Sequence, residues 1–293
     1  DAPWAQQSRA HEGLRVMHKR EHLTNDFFAL ATRNYSKRFD ERFSPVSTHQ
    51  YKLLLVHYLK YKPNPHITLT GLIAIDFFEA QAPGKNYERI TLGGRLEAEK
   101  GSFYATVNGY YQFGRNAHLK QLSAFYLQPE CRLTFGKSII RIGAEILSGD
   151  KPNLSVNSSG SFDVLYGVAW KFMGNMNLFT RFPNDVNGKG LVNPYIFAMH
   201  AFNKKISVRS DFNLFFTQYP LNTPTGQNLN KYLGFENDLS FKYKPNKNLE
   251  INYGFSWLIP QEEMGLLRKV RDVNKAAVWS YLMISYRFNV IDL

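Results

Sequence analysis

Segments of about ten residues in which apolar and polar side chains alternate recur along this whole sequence, joined by tight turns and longer polar links in strict succession. Successive side chains on a strand point to opposite faces, so each such segment shows a different surface on each side. In 249–257, Leu249, Ile251, Tyr253, Phe255 and Trp257 form one apolar face, and Glu250, Asn252, Gly254 and Ser256 form the other. In 276–289, Leu282, Ile284, Tyr286 and Phe288 share a face opposite Trp279, Tyr281, Met283, Ser285 and Arg287.

Thirteen strands are expected, over 13–21, 26–35, 51–61, 67–79, 87–99, 103–114, 121–134, 139–148, 193–203, 206–218, 232–244, 248–259 and 276–289. The strand at 193 is the weakest, because Pro194 stands at its start. Short connections near 22–25, 62–66, 100–102, 135–138, 204–205 and 245–247 alternate with longer ones near 36–50, 80–86, 115–120, 149–192, 219–231 and 260–275. A soluble sandwich also alternates. Strand length, strand number and aromatics near strand ends favour an all-β, antiparallel transmembrane β-barrel, with short turns on the periplasmic rim and long loops outside. A mean hydropathy of −0.36 does not oppose this, since a barrel hides its apolar residues at every second position. No run approaches the roughly 20 apolar residues of a membrane helix.

The 293 residues read as one outer-membrane barrel domain, in the outer membrane of a Gram-negative bacterium. Its first strand leads into a short turn and its last follows a long loop, so both run inward and the count is odd. Single-chain bacterial barrels have even counts, and a closed sheet leaves no edge in lipid. The expectation is that an odd number of N-terminal strands is missing or supplied by another polypeptide. The competing reading is a miscount within 149–192. No signal peptide opens the chain: either it was removed on export or the chain is a fragment. The lone Cys131 excludes an internal disulfide, and by parity it falls on the lipid side as an apolar filler.

The opening Trp4-Ala5-Gln6-Gln7-Ser8-Arg9-Ala10-His11-Glu12-Gly13 resembles a loop motif of the alginate-export family of outer-membrane porins. The segment from Ser123 to Asp150 is similar too, with its Leu147-Ser148-Gly149-Asp150 ending and the following Phe162-Asp163-Val164-Leu165-Tyr166. The resemblance implies that this chain is the C-terminal portion of an eighteen-stranded barrel. It also implies passive passage of an anionic oligo- or polysaccharide.

A formal net charge of +12 invites an anion-conducting lumen, but the charge has to be placed locally. Parity puts Lys52, Lys60, Arg89, Arg95, Arg132, Arg141, Arg209, Lys242 and Arg287 in the lumen with Asp76, Glu97, Glu130, Glu145, Asp211, Glu236, Asp238 and Glu250. The two signs nearly balance, so the excess sits in loops and turns. Bases and acids either segregate across the lumen and guide a charged sugar, or pair locally, as Arg95/Glu97, Glu130/Arg132 and Arg141/Glu145, and brace the wall. The candidate pore-lining residues are Arg95, Arg132, Arg141, Arg209, Glu145, Asp211, Lys242 and Arg287. Among these, the guanidinium forks of Arg95, Arg132, Arg141 and Arg209 suit carboxylate ligands.

The stretch 149–192 holds Asp150, Asp163 and Asp185, yet it is apolar for a solvated loop, with Leu165, Trp170, Phe172, Met173 and Phe179. It reads as a long extracellular or inward-folded loop, with a calcium-binding loop as the weaker alternative. No metal-ligand spacing and no nucleophile elbow is present, so no catalytic residue and no cofactor is expected. The glycine pair Gly93-Gly94 leaves room for close packing or a bend. Three functions stay open: a substrate-conducting porin, a scaffolding barrel in a larger outer-membrane complex, and an enzyme or soluble all-β protein. The expected partners are outer-membrane lipid and lipopolysaccharide, an anionic saccharide and other outer-membrane proteins, with no nucleic acid.

Overall fold

The computed structural model describes residues 11–31, 51–79, 85–166, 173–222, 226, 228–268, 273 and 275–288. Thirteen long strands follow one another: β1 (Glu12–Lys19), β2 (Leu23–Ala31), β3 (Leu53–Asn64), β4 (Ile67–Glu79), β5 (Asn86–Lys100), β6 (Phe103–Arg115), β7 (Gln121–Phe135), β8 (Ser138–Leu147), β10 (Leu191–Ala201), β11 (Ile206–Phe216), β12 (Tyr232–Tyr243), β13 (Leu249–Pro260) and β14 (Ala277–Tyr286). A two-residue strand, β9 (Ser158–Ser159), runs parallel to β7, and a seven-residue helix, α1 (Glu262–Arg268), lies in the last long link. The long strands form one antiparallel sheet in sequence order, with β1 and β14 at its two edges.

The polarity of the sheet is inverted relative to a soluble protein. Leu92, Leu96, Val107 and Ile142 are 47–56% exposed, whereas Asp76, Thr91, Gln112 and Glu236 are fully buried. An antiparallel wall with apolar side chains outside and polar ones inside is what a bilayer around an aqueous lumen requires. This places the chain in an outer membrane. Among the described residues no helix is long and apolar enough to span; the strands cross instead. Cys131 is exposed on the outer face.

The turns are built by their own residues. At the short rim Gly101 and Gly136 take positive φ, at +61° and +56°. Three other short connections repeat one device, an asparagine side chain accepting two backbone N–H groups. Asn64 Oδ1 takes those of His66 and Ile67, Asn203 those of Lys205 and Ile206, and Asn246 those of Asn248 and Leu249, all at 2.8–3.0 Å.

Pro194 lies within β10 and breaks its ladder to β11, whose pairing skips from Val192↔Phe216 to Tyr195↔Asn213. The Leu214 carbonyl, which faces Pro194 in this register, accepts from Nδ2 of Asn193 at 3.0 Å. The neighbouring side chain thus replaces the donor that proline lacks.

Candidate functional site: the lumen wall and the loop across it

Four arginines follow the wall on the lumen face. Arg95 donates to Thr106 Oγ1 at 2.9 Å and to Tyr104 at 2.5 Å, and lies 3.2 Å from Glu97. Arg132 meets Glu99 at 2.6 Å and stacks over the Tyr104 ring. Arg141 forms a two-pronged contact with Glu130, at 3.0 and 2.6 Å. Arg209 donates from Nε to Asp211 at 2.7 Å. Arg141 and Arg209 both lie over the Phe197 ring, at 5.4 and 5.1 Å from its centre.

Of the local pairs expected, Arg95/Glu97 forms. Glu130 pairs across strands with Arg141 instead of Arg132, Arg132 turns to Glu99, and Glu145 accepts from Tyr126 at 2.8 Å. Arg132 stands directly opposite Arg141, so the two like charges part: Arg141 reaches diagonally to Glu130, and Arg132 reaches over Tyr104 to Glu99 two strands away. Lys242 joins Lys244 on Glu250, at 2.9 and 2.6 Å. Arg287 lies past the end of β14, its backbone N–H bonded to the Asn248 carbonyl.

A second set of lumen-side groups meets the segment between β8 and β10. Arg89 bridges Asp76 of β4 and Asp163 of the segment, at 3.0 and 2.5 Å. Gln112 of β6 grips the Asp163 backbone from both sides, donating to its carbonyl at 2.7 Å and accepting from its N–H at 2.9 Å. Tyr166 donates to Asp76 at 2.5 Å. On β12, Asp238 and Glu236 accept the backbone N–H groups of Asn175 and Met176, at 3.1 and 2.9 Å. One segment therefore touches β4, β5, β6 and β12.

Behind these contacts Phe162, Met173, Phe179, Phe182 and Val186 join Leu147, Leu191, Phe215 and Leu233 of the wall in a buried apolar cluster. Helix α1 seals it, with Arg268 bonded to Asp185 at 3.2 Å. This accounts for the apolar character of the stretch; Trp170 and Phe172 lie outside the described residues. Of the acids read as calcium ligands, Asp163 meets Arg89 and the other two hold backbone. Asp150 accepts from Gly160 N–H at 2.6 Å, and Asp185 from those of Thr180 and Arg181 at 2.8 and 2.7 Å. Among the described residues no group of three or more His, Cys, Asp or Glu is arranged around a metal position.

An antiparallel wall, apolar outside, with charged residues on its inner face and its longest loop folded against them, has the fold of an outer-membrane β-barrel of the kind seen in porins. The solved structures it resembles include OprD of Pseudomonas aeruginosa (12% identity, TM-score 0.56, covering 93% of this chain and 67% of that one). They also include OccK3 (OpdO) of the same organism (13%, TM-score 0.57, 94% and 68%) and OpdK crystallised with vanillate (12%, TM-score 0.53, 94% and 68%). At these identities the likeness is one of fold. No protein-family model and no curated protein matches the sequence.

The resemblance to alginate-export porins is corrected by this result, since the structural neighbours are OprD and Occ channels. The physical reason lies in the motifs themselves. Leu147-Ser148-Gly149-Asp150 and Phe162–Tyr166 leave a strand and pin a loop to a wall, a task set by the barrel and not by its cargo. Most of the motif from Trp4 to Gly13 falls outside the described residues.

Proposed function

We propose that this chain forms much of the wall of a passive outer-membrane channel for small anionic solutes bearing a carboxylate. The observation that carries this is the depth of the charges. In three of the four arginine pairs the carboxylate is the more buried partner: side-chain exposures are 38% for Arg95 against 26% for Glu97, 28% for Arg141 against 4% for Glu130, and 43% for Arg209 against 10% for Asp211. A solute in the lumen meets guanidinium groups while the acids stand behind them, so near-neutral bookkeeping still leaves a cationic surface. The buried Phe197 ring lies beneath both Arg141 and Arg209 and holds the two forks near one another. Two neighbouring forks suit a carboxylate, whether of a sugar acid or of an aromatic acid such as the vanillate named with OpdK.

The segment between β8 and β10 narrows the passage. A second reading, a scaffolding barrel with a plugged lumen, draws on the apolar cluster around Phe179 and Phe215. Single-channel conductance across a planar bilayer under a salt gradient separates the two. Steady anion-preferring current, reduced by vanillate or a uronate but not by the matching neutral ring, supports the channel. A silent membrane with insertion verified favours the scaffold.

A further inference from the structure

A groove of about 820 Å³ opens at the extracellular ends of β5, β6 and β7, and it does not face the lumen. Tyr111 and Phe113 of β6 and Ser123 of β7 line it, and they share the parity of the exposed Val107 and Phe125 on those strands. It is therefore a recess on the lipid-facing surface, at the rim next to the outer leaflet. Three basic side chains surround it: Arg115, His118 and Lys120, with Glu88 as the one carboxylate of the lining. Among the described residues no ion pair or side-chain hydrogen bond engages any of these three bases. The other arginines of the described strands all have carboxylate partners, so an unengaged Arg115 at this recess stands out.

The site is also built rather than loose. Asn116 Oδ1 accepts the backbone N–H groups of His118 and Lys120, at 3.0 and 3.1 Å, and the Asn116 N–H bonds the Lys120 carbonyl at 3.1 Å. Gln121 N–H is tied to the Asn157 carbonyl at 2.8 Å, so the stretch leading into β9 buttresses one side. Below the bases, Tyr111 and Phe113 stack with ring centres 6.1 Å apart, and the Tyr111 hydroxyl meets Ser123 Oγ at 2.8 Å.

We infer that this groove binds the phosphorylated sugar head group of an outer-leaflet glycolipid of the lipid A type, with Arg115 and Lys120 on a phosphate and the first part of an acyl chain along Tyr111 and Phe113. The vertical order of the residues matches that of such a lipid: cations at the rim, an aromatic pair beneath, aliphatic wall below. Guanidinium and ammonium donors make charge-assisted bonds to phosphate, and interfacial aromatics sit at the boundary between head group and chain. The inference rests on the outer-membrane location and is independent of what the lumen conducts.

Native mass spectrometry of the detergent-purified full-length protein tests it, with bisphosphorylated lipid A, its dephosphorylated form, phosphatidylglycerol and inorganic phosphate as probes. The expected result is retention of one bisphosphorylated lipid A, with retention about tenfold or more weaker for the dephosphorylated form, for phosphatidylglycerol and in the Arg115→Ala/Lys120→Ala variant. Equal retention of the dephosphorylated lipid by the unaltered protein overturns the inference whether or not the variant folds. So does equal retention of phosphatidylglycerol, which marks a general anionic-lipid surface. Displacement of lipid A by millimolar inorganic phosphate overturns it too, marking a free-anion site.

Discussion

Asp163 shows how one side chain couples the loop to the wall. Arg89 stands between two carboxylates, Asp76 and Asp163, so one cation serves two acids. Burial pushes the Asp163 carboxyl up to about 6, with the nearby Asp76 adding to the rise and Arg89 opposing it. In a loop detached from the wall the same group returns toward its ordinary value of 3.8. The docked state thus holds a proton more tightly than the released one. Proton uptake favours docking as pH falls through about 6, and that contribution is lost as pH rises through it. Current fluctuations from loop release should be rarer at pH 5 than at pH 7.5, and Asp163→Asn should be quiet at both; equal noise in the unaltered protein at the two values would remove Asp163 from the anchor. At Arg141 the expectation concerns charge. Arg141→Glu places a second acid against the buried Glu130 and takes one of two cations from Phe197. The reversal potential should move toward cation preference, and an unmoved potential would leave Arg141 as a brace only.

The strand β8 offers two neighbouring substitutions with different physical costs. Ile142 is 56% exposed on the lipid face near the middle of the strand. Ile142→Arg should cost about 2–4 kcal/mol, because the charge must enter hydrocarbon. Gly143 points the other way, under the Tyr195 ring of β10, which stands directly opposite it. A β-carbon at Gly143 would come within 2.8 Å of the Pro129 carbonyl and closer still to the tyrosine, so Gly143→Ala should cost about 1–3 kcal/mol through overpacking. Urea unfolding in lipid–detergent bicelles reads both. The same arrangement recurs where Tyr110 lies opposite Gly93. Such pairs let an aromatic ring lie flat along the wall.

The strands are the legible part of this sequence. All thirteen long ones stand within a few residues of where alternation put them, because a sheet between lipid and water writes its two solvents into every second residue. β9 and α1 were not legible, since two strand residues and seven helical ones are too short to show a period.

At the scale of the whole molecule the loop between β8 and β10 is the deciding element. It masks Asp76, Arg89, Glu236 and Asp238 and leaves Arg95, Arg132, Arg141 and Arg209 uncovered. Deleting residues 152–187 should raise the single-channel conductance, and it should also weaken anion preference by uncovering those acids. Unchanged conductance would mean that the passage is set elsewhere. The sequence by itself determined the number of long strands, the face each side chain takes and the rim each connection joins, because those follow from a two-residue period and from connection length. Only the tertiary structure decided which acid each arginine meets, where the long loop lands and that a groove opens toward lipid above Tyr111 and Phe113. Those depend on register between strands and on contacts between residues far apart in the chain, which a local period does not encode.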